Sequence, residues 1–308
     1  LFDSLRNKIM TLPDDLVVYP SHGAGSACGK NMSKETTDLL GNQKKNNYAL
    51  RFDMTREEFI AELLDGLGAP PAYFPQNVML NIEGYESLDS IIEKSFKALN
   101  AKEFEAIANQ AEAIILDVRH ENDFVKKHIP GSIFIGIQGN FAPWVGALIR
   151  DVKQPIVLIT PEGKEEETIT RLSRVGFDNV LGYLSGGIES WETAGFETDS
   201  IESISPEVFE SEVSENSTII DSRKPGEYNP EHLENAINIP LDDVNERFSE
   251  IPKEKFYLHC AGGYRSVIMA SILKSRGYHN MINVEKGMGG IKKTELKLCS
   301  ISCSSSNK

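Results

Sequence analysis

Residues Phe256 to Val267 read "FYLHCAGGYRSV". An apolar, strand-like run ends in Cys260, passes through Gly262 and Gly263, and reaches Arg265 just before a helical pattern that starts at Ser266. The loop therefore wraps a helix N-terminus, where unpaired amides and the positive end of the helix dipole converge. An anion is favoured there. A cysteine in that place reads as a thiolate held by backbone N–H groups rather than as buried filler. Gly262 and Gly263 let consecutive amides turn inward without a Cβ penalty. Arg265 adds a planar cationic fork.

Upstream, one pattern occurs twice. "ILDVRHENDFVKKHIPGSIFI" (Ile115 to Ile135) and "IIDSRKPGEYNPEHLENAINI" (Ile219 to Ile239) align without a gap. Asp117-x-Arg119 matches Asp221-x-Arg223, the acid–aromatic pair Asp123-Phe124 matches Glu227-Tyr228, and His128 matches His232. Further on, "PIVLIT" (Pro155 to Thr160) matches "KFYLHC" (Lys255 to Cys260), and each is followed by a helical stretch ending at Gly176 or Gly277 and by another short strand. Short β-branched runs alternating with helices predict an α/β fold with a parallel sheet flanked by helices. A period of about a hundred residues indicates a duplicated domain, since solenoid repeats are shorter. Polar, acidic stretches place boundaries near Tyr85 and Asp199. The expected organisation is a distinct N-terminal region over 1–84, a first copy over 85–199, a second over 200–298 and a disordered tail over 299–308.

Composition narrows the function. Among 308 residues, 32 basic against 46 acidic side chains give a net charge of −14, which argues against nucleic-acid and anionic membrane partners. The four cysteines, Cys28, Cys260, Cys299 and Cys303, are too unevenly spread for a disulfide framework, so a reducing, cytoplasmic setting is expected. No apolar run approaches the ~20 residues of a spanning helix. The chain starts at Leu1 inside an amphipathic pattern, as though the start of a domain were missing.

"DSRKPGEY", "HLENAINIP" and "HCAGGYRS", in this order and spacing, resemble a rhodanese domain. The resemblance implies a sulfurtransferase of the thiosulfate sulfurtransferase type. In that chemistry Cys260 takes a sulfane sulfur as a persulfide, Ala261, Gly262, Gly263 and Tyr264 bind substrate through the loop, and Arg265 lines the pocket. The partners it implies are thiosulfate, glutathione or other low-molecular-weight persulfides, and acceptor thiols; a homodimer stays open. The first copy has Thr160 where the second has Cys260, followed by a shorter, acidic loop, "ITPEGKEEE". Lacking the thiol, it is expected to be an inactive rhodanese-like domain kept for packing or docking. Phosphatases of this general design resemble Cys-x5-Arg, whereas four residues separate Cys260 from Arg265, a smaller ring suited to one sulfur atom.

The N-terminal "VVYPSHGAGSACGK" and "ETTDLLGNQKKNNYAL" are similar to the C-terminal part of the metallo-β-lactamase fold (αββα) in glyoxalase II-like and persulfide dioxygenase proteins. His22 matches a histidine of that family's second metal position, and Cys28 is a candidate accessory thiol. The family's His-x-His-x-Asp-His signature does not occur, so no metal and no cofactor are expected in this chain; iron is expected only in an intact domain of that kind. The combined reading is a sulfurtransferase within a sulfide- or persulfide-oxidation protein whose dioxygenase half is incomplete. The alternative is a non-catalytic sulfur-carrier or docking module. Asp117–Arg119 and Asp221–Arg223 are expected to brace strand ends, since the thiol-less copy has them too. Trp144 and Trp191 are expected in the core.

Overall fold

The computed structural model describes residues 1–21, 35–64 and 73–300. His22, Cys28 and Cys303 lie outside the described residues. The chain divides into two compact units, Leu1–Pro70 and Pro71–Lys308.

In the first unit, β1 (Val17–Val18) pairs antiparallel with β2 (Asp38–Leu39), and helices span Leu40–Asn46 and Arg56–Leu64. Leu40, Leu50, Met54 and Phe59 are its buried apolar residues. Lys44 Nζ bridges back to Asp14 at 2.6 Å.

The second unit contains both copies. The first copy's strands are β3 (Ala98–Leu99), β4 (Ile114–Asp117), β5 (Ile133–Phe134), β6 (Ile156–Ile159) and β7 (Val180–Leu184), in the order β3-β7-β6-β4-β5. In the second copy β8 (Ser203–Ile204), β9 (Thr218–Asp221), β11 (Ala236–Asn238), β12 (Phe256–His259) and β13 (Met281–Val284) form a sheet in the order β11-β9-β12-β13-β8, while β10 (His232–Leu233) stands apart from it. Every pairing in both sheets is parallel. Replacing each strand by its counterpart turns one order into the other, as duplication requires. β6 and β12 are buried along their whole length, as central strands covered on both faces must be.

Two boundaries differ from the sequence expectation. The helix Phe74–Glu83 belongs with the second unit, not with the N-terminal region, because a Cβ at Gly146 of the first copy would lie 2.1 Å from the Tyr73 ring. Cys299, expected at the head of a disordered tail, lies in β14 (Leu298–Cys299), which pairs antiparallel with β10. There His232 Nε2 approaches Cys299 Sγ at 3.2 Å, while its Nδ1 faces Tyr228 O at 2.9 Å.

The helix Tyr264–Ser275 starts two residues earlier than the sequence pattern suggested and is buried from Ser266 through Leu273. Eight consecutive buried residues leave no face of it to solvent, so one sheet cannot cover it. A single apolar cluster joins Leu116, Phe134 and Leu158 of the first copy to Ile220, Leu258 and Ile268 of the second. Ser271 contributes the polar link: its Oγ accepts from the Phe134 amide of β5 at 2.9 Å and donates to Ile268 O at 2.7 Å. Ser271→Ala leaves that buried amide without its acceptor and should lower unfolding free energy by about 1–3 kcal/mol, measured by urea denaturation. An unchanged midpoint would remove Ser271 from the account of how the copies are joined.

His128 supplies a second expectation. The ring is buried, stacks on Phe124, and places Nδ1 2.8 Å from Phe124 O. Burial lowers its pKa from 6.5 to about 4, outweighing the upward pull of the Phe124 carbonyl and Asp199. Between those values the unfolded chain binds a proton that the folded chain does not, so stability is complete above pH 6.5 and falls as pH drops toward 4. The loss is on the order of 3 kcal/mol. Buried His259, whose pKa is also lowered by burial, acts in the same direction. Urea midpoints of the wild type should decline across this window, and His128→Asn should flatten part of the decline.

Candidate active site

Cys260 follows the last residue of β12, beside β9, where His259 pairs with Asp221. Its side chain is almost wholly buried, at 1% exposure. Gly263 caps the helix Tyr264–Ser275 with φ 109°, a left-handed conformation that a residue with a Cβ adopts only under strain. That turn brings the Gly263 amide to Cys260 Sγ at 3.1 Å. Ser266 Oγ donates to Gly263 O at 3.0 Å and fixes the first turn. Gly262 has no left-handed φ and nothing within 4 Å of its ideal Cβ, so of the two glycines Gly263 is the one this turn demands.

The loop backbone is clamped from the opposite side. Met288 N donates to Cys260 O at 2.7 Å and Gly289 N donates to Ala261 O at 2.9 Å. A Cβ at Gly287 would lie 2.2 Å from Cys260 O, so this close approach requires glycine. The sequence signal for this clamp is "EKGMGG", a glycine cluster directly after a strand, which marks a close backbone approach.

Arg265 lies near the thiol but is already engaged. Its Nη1 and Nη2 donate to the two carboxylate oxygens of Glu227 at 2.6 and 2.7 Å, a fork-to-fork pair. Glu227 chiefly, with a further contribution from Cys260, holds the guanidinium above its ordinary pKa. Glu227 was visible in the sequence only as the repeat partner of Asp123. Asp221 and Arg223 form the expected brace: Arg223 bonds both Asp221 oxygens, and Nη2 also reaches Glu231 O at 2.8 Å. In the first copy Arg119 does the same with Asp117 and Lys127 O. His259 Nε2 lies 3.9 Å from Asp221 Oδ2 and Nδ1 lies 3.3 Å from Cys260 O.

The Tyr264 hydroxyl donates to Gly136 O of the first copy at 2.9 Å, and burial holds the phenol protonated well above its usual pKa. In the thiol-less loop, Glu165 Oε1 accepts from Thr160 Oγ1 at 3.1 Å and from the Gly163 amide at 3.2 Å. The first loop thus supplies its own anion, a carboxylate, where the second presents sulfur.

A cysteine at the end of a parallel strand, under a glycine-capped helix N-terminus and beside a paired arginine, defines an α/β thiol-loop domain. The rhodanese-like domain family model matches residues 100–194 and 205–294, more than half of the chain, so the chain belongs to that family. Bacillus subtilis YrkF, named only provisionally as a sulfur carrier, is 36% identical over 106 residues, 33% of this chain and 55% of YrkF. The thiosulfate sulfurtransferase PspE of Escherichia coli is 37% identical over 76 residues, 24% of this chain and 69% of PspE. A metallo-β-lactamase structure from Staphylococcus aureus is 28% identical, with a TM-score of 0.45, covering 59% of this chain and 48% of that one. The chain thus spans about half the length of YrkF and of the metallo-β-lactamase. No helix among the described residues is long and apolar enough to cross a membrane.

The paired geometry of Arg265 sets an expectation for replacing it. A lysine cannot bridge both Glu227 oxygens, so Arg265→Lys should lower the rate of sulfur transfer from an anionic donor about tenfold while shifting the urea midpoint little. Proportionate losses in rate and stability would make Arg265 a brace alone.

Proposed function

We propose that the second copy is a rhodanese-type sulfurtransferase that moves sulfane sulfur through a persulfide on Cys260. The observation that carries this reading is the position of Cys260 Sγ under the Gly263 amide, at a helix N-terminus shaped by a left-handed glycine. With thiosulfate as donor, the Cys260 thiolate attacks the outer sulfur. The sulfur–sulfur bond of thiosulfate breaks and sulfite leaves with its electron pair, so Cys260 becomes a persulfide. An acceptor thiolate then attacks the terminal sulfur and Cys260 leaves as thiolate. Low-molecular-weight persulfides can serve as donors by the same displacement. Backbone amides favour the charged terminal sulfur of the persulfide as they favour the thiolate. The thiol alone carries the sulfur, so no cofactor enters the scheme. A thiol that must stay reduced suits the cytoplasm. The resemblance of the region before Pro71 to part of a metallo-β-lactamase-like domain supports a role for this activity in persulfide metabolism.

A sulfur-carrier or docking module is the second reading. It is favoured by the first copy, whose loop is filled by Glu165 and lacks a thiol. Turnover separates the two, since a carrier loads once and a transferase cycles.

Incubation with thiosulfate should add one sulfur, about 32 Da, to Cys260 by intact-mass and peptide analysis, and cyanide should remove it. Cys260→Ser should abolish both the gain and the turnover. Sulfur appearing on another cysteine, with Cys260 unmodified, would overturn the assignment.

A further inference from the structure

Tyr264 stands in the chain between Gly263, whose amide meets the Cys260 sulfur, and Arg265, which is locked to Glu227. Its side chain leaves the second copy and enters the first. There the hydroxyl donates to Gly136 O at 2.9 Å, a carbonyl that also accepts from the Gly139 amide at 3.2 Å. The ring meets Phe134 edge-on at 5.7 Å. The socket exists because two side chains are missing. A Cβ on Gly139 would lie 2.4 Å from Tyr264 Cζ and 2.5 Å from its hydroxyl, and one on Gly136 would lie 3.1 Å from Cε2. Neither glycine has a left-handed φ: at Gly139 space for the tyrosine is what calls for glycine, while at Gly136 a Cβ would also lie 3.0 Å from Arg119 O and from the Phe134 ring.

From this geometry we infer that the thiol-less copy positions the catalytic loop, with Tyr264 as a plug and the Gly136–Gly139 turn as its socket. Tyr264 is a positioning residue: its side chain is held by the first copy, while its backbone fixes the amide on one side and the guanidinium on the other. A loop amide must lie within hydrogen-bond distance of the sulfur to stabilise it, and misplacement by about 1 Å can reduce a rate up to a hundredfold. Anchoring the ring in the first copy restrains that displacement. A cavity of about 190 Å³ beside the ring, bordered by Arg119, His120 and Gln138, leaves room for a displaced tyrosine. Filling the socket can therefore move the plug without emptying the core.

The test is a double-mutant cycle on the full chain, with two readouts. One is sulfur transfer from thiosulfate, which rests on the sulfurtransferase reading. The other is the rate of Cys260 alkylation by iodoacetamide, followed by peptide mass spectrometry, which does not. Gly139→Ala should lower kcat between about tenfold and a hundredfold and change the pH profile of Cys260 alkylation. Tyr264→Ala should do the same without introducing a clash, and Tyr264→Phe, which keeps the ring and loses only the hydroxyl bond to Gly136 O, should lower kcat less than Tyr264→Ala does. In the Tyr264→Ala background, Gly139→Ala should have no further effect, because it acts only through the ring it displaces. Additive effects of the two substitutions, or a Gly139→Ala chain that loses thermal stability while Cys260 alkylation keeps its wild-type pH profile, would overturn the inference. A wild-type chain that transfers no sulfur would refute the proposed activity and leave the alkylation cycle to decide the positioning role.

Discussion

The helix Tyr264–Ser275 is buried from Ser266 through Leu273 and so is covered on every side. A single rhodanese-like sheet covers one face. All of its buried apolar side chains, Val267 to Ala270, Ile272 and Leu273, lie in the cluster shared with the first copy. At ~1.5–3 kcal/mol for each fully buried aliphatic side chain, exposing even two or three of them would consume a large part of a domain's net stability. The same helix carries the thiol loop at its N-terminus. Covering its flank and shaping the site are therefore one structural problem, and the first copy takes part in both.

Duplication supplied a partner with the same strand order and the same buried aspartate–arginine brace at the end of its second main strand. The loops then diverged. One presents the Cys260 sulfur under an amide; the other places Glu165 against the Thr160 hydroxyl and the Gly163 amide, so the partial positive charge of the helix start is met from within the chain. Glycine use follows the same logic. Gly263 and Gly163 both have positive φ, at 109° and 76°, Gly139 is small because the Tyr264 ring passes close to it, and Gly287 meets both demands, with φ 47° and Cys260 O against it.

Much of this was legible in the sequence. The repeat fixed parallel α/β architecture because paired β-branched runs, turn residues and helix ends recurred in register, and the Cys260 loop could be read because its chemistry lies within six consecutive residues. What escaped were contacts between distant segments. Glu227 is 38 residues from Arg265, and Gly136 is 128 residues from Tyr264, so neither partner has a local signature. "GIQGN" reads as an ordinary turn until a tyrosine from the other copy is placed against it. The serines after Cys299 give it the look of a tail, yet strand pairing with His232 and Leu233 decides its conformation. The polar stretch near Tyr85 sets the helix Phe74–Glu83 with the region before it, yet the fit of Tyr73 against Gly146 assigns it to the region after.

The carboxylate in the thiol-less loop has a kinetic consequence. With its donors occupied by Glu165 and no sulfur at Thr160, that loop offers no second station through which cargo could be handed from copy to copy. Donor and acceptor must then visit the Cys260 loop in turn, each waiting for the other's product to leave. Under the proposed sulfur transfer the two loops together hold one sulfur per turnover, and the rate law is of the ping-pong type, with each substrate at high concentration competing for the form of the protein meant for the other.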